Sequence, residues 1–87
     1  MRDRIADLLA EARMASQQPN AYGLLPDIID ILEKIEAELE KESPDPETLI
    51  RGAGALGRVV TDSYRFSESP LGTKLLELVS DIVAQYR

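Results

Sequence analysis

The sequence predicts an all-α protein, an antiparallel up-down-up-down four-helix bundle, on three observations. Apolar residues recur at helical spacing in four separate stretches. Those stretches are divided by clusters of Pro, Gly, Asn and Ser that break helices. No stretch shows the apolar-polar alternation of a half-buried strand. Short connections make successive helices antiparallel neighbours, so four apolar stripes turn inward together. At 87 residues the chain is expected to form a single helical domain spanning 1–87, because a core this small cannot be divided into two self-sufficient halves.

The first helix is expected over about residues 3 to 16, where Ile5, Leu8, Leu9 and Ala12 form one stripe. Asp3 and Asp7 stand early and Arg13 late, in agreement with the helix dipole. The loop QQPNAYG interrupts it. Pro26 then occupies a favoured first-turn position, followed by Asp27 and the stripe Ile28, Ile31, Leu32, Ile35 and Leu39, to about Glu42. In Ser43-Pro44-Asp45-Pro46 a stop meets a start: Asp45 is the expected N-cap and Pro46 the first helical residue. Leu49, Ala53, Leu56, Val60 and Tyr64 give the third stripe. After SYRFSESPLG, with Ser69 as cap and Pro70 opening the helix, the fourth stripe is Leu71, Leu75, Leu78, Val79, Ile82 and Tyr86.

Composition bounds the chemistry. A hydrophobic fraction of 44% with 30% charged residues is that of a folding chain. Without Cys or His, zinc fingers, disulfide frameworks and Ser-His or Cys-His catalysis are unavailable. The formal charge of -6 disfavours nonspecific binding to nucleic acid or an anionic membrane. The opening MRDRIADLLAEARM lacks the unbroken apolar region of a signal peptide, so a cytoplasmic location is expected.

Residues 52 to 57, GAGALG, fit the G-x-G-x-x-G spacing of dinucleotide-binding loops. That fingerprint requires a strand before it and a helix starting within it, so that free amides meet the phosphate. The preceding DPETLIR reads instead as the first turns of a helix, whose amides are already bonded by residue 52. No nucleotide or other cofactor is therefore expected. Three glycines in a helix cost roughly 1 kcal/mol each relative to Ala. Ile50, Gly54, Gly57 and Thr61 share a face, so close helix packing is expected at Gly54 and Gly57.

Arg51, Arg58 and Arg65 recur every seven residues as a basic stripe; the plainer reading is a solvated face paired with the second helix's Glu residues. The carboxylates of EKIEAELEKE include the pair Glu33 and Glu36, which resembles the E-x-x-E of all-helical nucleoside triphosphate pyrophosphohydrolases. That resemblance implies magnesium held jointly with a later pair, here Glu77 and Asp81, which are spaced one residue wider than the family's E-x-x-D. Magnesium-dependent nucleotide hydrolysis is accordingly the alternative function. Interleaved Lys34 and Lys41, spaced to reach Glu38, favour a solubilised surface and no metal site.

Tyr22, Tyr64 and Phe66 sit at the first and third breaks, which share one end in this topology. With Arg65 they are the partner-binding candidates, since Tyr-Arg combinations are enriched in binding hot spots; the alternative is a plug closing the bundle. The expected function is an adaptor, regulator or inhibitor, not an enzyme. Its partner would be another protein with a basic or mixed-charge surface, and its state monomer or homodimer. In size, acidity and helix count the chain is similar to bacteriocin immunity proteins, a likeness of class without shared motifs.

Overall fold

A computed structural model describes residues 1–87, and every regular element in it is helical. The elements are α1 (Arg2–Ser16), α2 (Leu25–Leu39), α3 (Pro46–Thr61), α4 (Tyr64–Ser67) and α5 (Pro70–Tyr86). Helix α1 packs on α2 and α5, and α3 likewise packs on α2 and α5. The short α4 rests on α3 and α5. No helix is long and apolar enough to cross a membrane.

Eighteen buried apolar residues form one core cluster. It contains Ile5, Leu8, Leu9 and Ala12 of α1, and Leu32 and Ile35 of α2 among others. Leu49, Ala53, Leu56 and Val60 supply the α3 stripe, and Leu71, Leu75, Leu78 and Ile82 that of α5. Each fully buried Leu or Ile stabilises the fold by about 1.5–3 kcal/mol. Exposed ion pairs tie the outer surfaces: Arg4 with Asp81 and Lys74 with Glu11 join α1 to α5, while Arg13 and Glu33 join α1 to α2 at 2.8 Å.

Two expected boundaries move, each for a local reason. Helix α2 ends at Leu39, short of Glu42. The Glu38 carboxylate folds over the turn, accepting the Asp45 N–H at 3.1 Å and the Lys41 ammonium at 3.0 Å. Asp45 does occupy the N-cap position of α3, where its carboxylate accepts the Thr48 hydroxyl at 2.7 Å. Helix α3 stops at Thr61, so Tyr64 does not continue its stripe. Instead Ser63 turns extended, at φ -114° and ψ 106°, and its hydroxyl accepts the Phe66 N–H at 3.3 Å. That cap starts α4 as a fifth helix. At α5 the expected cap forms: Ser69 Oγ accepts the Gly72 N–H at 3.0 Å.

Helix α3 runs unbroken through its glycines, but the expected close packing is displaced from its predicted positions. A methyl group at Gly54 would meet no atom within 4 Å, because that position faces outward. At Gly57 it would touch Val79 Cγ1 of α5 at an ordinary 3.5 Å. The tight position on α3 is Gly52, where it would stand 3.0 Å from Ile35 Cγ1 of α2. The tightest of all is Gly72 on α5. A methyl there would overlap the Phe66 carbonyl oxygen and lie 3.0 Å from Ser67 Cα, so α4 crosses α5 backbone to backbone.

Candidate functional site

The end of the molecule formed by the α1–α2 loop and α4 brings two of the three expected rings together. Tyr22 and Phe66 meet edge to face, with centroids 5.0 Å apart and ring planes at 70°. Phe66 is buried, at 1% exposure, and belongs to the core. Buried in this way, Phe66 fits the alternative reading of a plug closing the bundle and not its candidacy for partner binding. Tyr22 is the rim of that plug, 40% exposed.

Tyr64 is 77% exposed and projects from the first position of α4. Arg65 beside it is exposed and forms no salt bridge. Both are held by a well-anchored turn. Ser63 caps its start, the Phe66 side chain pins it to the core, and Ser69 Oγ donates to the Phe66 carbonyl at 2.5 Å. Asp62 and Glu68 flank it, so the exposed surface carries both charge signs.

The basic stripe is divided by the break after Thr61: Arg51 and Arg58 lie on α3, Arg65 on α4. Arg51 pairs with Glu47 one turn back, at 2.8 Å, and not with a Glu of α2. Arg58 forms no ion pair.

The carboxylates of the hydrolase alternative are distributed between α2 and α5, which do not pack on each other. Glu33 is engaged by Arg13 and Asp81 by Arg4, and no group of three or more acidic side chains is gathered in metal-binding geometry. Lys34 pairs with Asp30, at 3.0 Å, leaving Glu38 to Lys41.

Two features had weaker signals in the sequence. Glu38 looks like one of several surface acids, yet it is buried at the α2–α3 turn. The Asp45 amide and the Lys41 ammonium hold its carboxyl below the usual carboxylate range. The Thr48 hydroxyl does the same for Asp45. The second feature is a groove of about 270 Å³ between α2 and α3, lined in part by the small residues Gly52 and Ala55. Glycine in a helix interior was its available signal. No protein-family model, curated protein or solved structure matches this chain.

Proposed function

We propose that this chain acts through protein–protein contacts, as an adaptor, regulator or inhibitor, with Tyr64 and Arg65 at the centre of the contact surface and Tyr22 at its edge. The observation that carries this reading is a tyrosine exposed to 77% on a four-residue helix whose own backbone is capped and anchored at both ends. Because the α4 backbone is already ordered, binding there costs side-chain freedom only, and Tyr and Arg are residue types enriched at binding hot spots. The adjacent acids Asp62 and Glu68 fit a partner of basic or mixed charge. A cytoplasmic setting and a monomeric or dimeric state belong to the same proposal.

The finer architecture proposed is an antiparallel bundle of α1, α2, α3 and α5, with α4 inserted before the last helix. Two ion pairs support it: Arg4 with Asp81 and Glu11 with Lys74 advance along α1 while retreating along α5. Contacts of Gly52 with Ile35 and of the Asp45 amide with Glu38 similarly run in opposite directions along α2 and α3.

The test compares wild type with Tyr64→Ala and Arg65→Ala as immobilised baits against lysate of the source organism, retained proteins being weighed by intact-mass spectrometry. Both variants should keep the wild-type melting curve, and a species retained by wild type should be lost. Equal retention of every species would overturn the assignment.

A further inference from the structure

The net charge of the chain is unevenly distributed. Residues 25–42 hold seven acids and two lysines, which is -5 of the -6. Helices α3 and α5 carry three cations, Arg51, Arg58 and Lys74, against three acids, Glu47, Glu77 and Asp81. These two helices pack on each other, and no ion pair joins them. On its outward side α3 presents Gly54, Arg58 and Thr61, all exposed and spaced i, i+4, i+7. At the same spacing α5 presents Leu76, Ser80 and Val83, the two apolar residues half-buried, with Glu77 at the edge. Arg58 and Glu77 are both exposed and form no salt bridge. Close approaches advance from Gly72 to Val79 along α5 while retreating from Phe66 to Gly57. In that register, which belongs to the bundle arrangement proposed above, Thr61 is level with Leu76, Arg58 with Glu77 and Gly54 with Val83, each within one residue.

We propose that the α3–α5 face binds a second copy of this chain about a two-fold axis parallel to the helices. Such an axis lays α3 of each copy on α5 of the other at the same level, and every contact occurs twice. Val83 of one copy then meets the open surface at Gly54 of the other, where an added methyl has no atom within 4 Å. Leu76 meets Thr61, and at the rim the free cation Arg58 meets the free acid Glu77. Large side chains against small ones, and a cation against an acid, make the face complementary to itself, which selects a second copy as its occupant. Most of the net charge lies on and just after α2, outside this face, so two acidic chains approach here with little repulsion. Two helices about 24 Å long and about 10 Å across present roughly 500 Å² per copy. That puts the pair near the floor of about 1,000 Å² for specific interfaces, so the dimer is weak and concentration-dependent.

The test is sedimentation equilibrium of the full chain up to about 1 mM, where a weak dimer is populated. The mass should rise with concentration from one to two chains of 9.6 kDa. Arg58→Glu and Glu77→Arg each turn two attractive rim pairs into repulsive ones and should weaken self-association about tenfold. Mixed together, the two variants should pair with each other at wild-type strength, because the mixed dimer has both rim pairs in reversed sense. Gly54 faces open space, so Gly54→Arg should keep the melting curve of the dilute chain and remain monomeric. Contacts of Gly57 with Val79 and of Gly72 with Phe66, read by nuclear Overhauser effects in the monomeric Gly54→Arg chain, report the bundle register separately from the pairing of copies. A monomer mass for wild type at the highest concentration would overturn the proposal. So would a mixture that pairs no better than either variant alone, or a dimer that persists in Gly54→Arg.

Discussion

The edge of one aromatic ring meets the face of another between Tyr22 and Phe66, 5.0 Å apart, and this contact joins the α1–α2 loop to α4. Burial divides the pair unequally: Phe66 is sealed in the core while Tyr22 is 40% exposed. Phe66→Ala is therefore expected to destabilise the fold by about 3–5 kcal/mol. Tyr22→Ala loses the ring pair and part of its buried area, about 1–2 kcal/mol. Urea unfolding of both variants checks the ranking.

Gly72 is the position where no side chain fits. Because an added methyl would strike backbone atoms of Phe66 and Ser67, a rotamer change cannot relieve it. Gly72→Ala should cost about 3 kcal/mol or more, at the upper end of overpacking effects. A melting temperature equal to wild type would contradict the α4–α5 crossing.

The outward-facing Gly54 predicts the opposite sign. With open space around it, Gly54→Ala should stabilise by up to about 1 kcal/mol through helix propensity and reduced unfolded-state freedom. Gly57→Ala, meeting Val79 at an ordinary distance, should also not destabilise, in contrast to the expectation from the glycine stripe. Denaturant midpoints of the two variants decide this.

Acid should loosen the α2–α3 turn. The Asp45 amide and Lys41 lower the Glu38 pKa, and the Thr48 hydroxyl lowers that of Asp45. A carboxylate depressed in the folded state contributes stability above its unfolded pKa, about 4, and that contribution is lost as pH falls through the folded value. Unfolding midpoints should therefore fall below pH about 4, and Glu38→Gln should show a smaller acid-dependent loss than wild type. An identical pH profile for the variant would remove Glu38 from this role.

The proposed oligomeric state is checked by light scattering over a hundredfold dilution. A chain of 9.6 kDa should give the mass of a monomer or a dimer throughout. A stable tetramer would contradict a self-contained bundle.

The helical class and most of the core were legible in the sequence because a stripe such as Leu49, Ala53, Leu56 and Val60 records one buried helix face directly. Pro46, Ser69 and Pro70 likewise act through their nearest neighbours, so the starts of α3 and α5 were readable. Ending α3 before Tyr64 was not, since the Ser63 cap forms only where Phe66 turns back into the core. Nor was the sorting of the glycines: Gly52, Gly54, Gly57 and Gly72 carry the same side chain, and what distinguishes them is the atom opposite. The separation of buried Phe66 from exposed Tyr64, and of Glu38 from the surrounding acids, has the same origin. Local spacing determines which residues share a helix face, but only the packing of distant elements determines what that face meets.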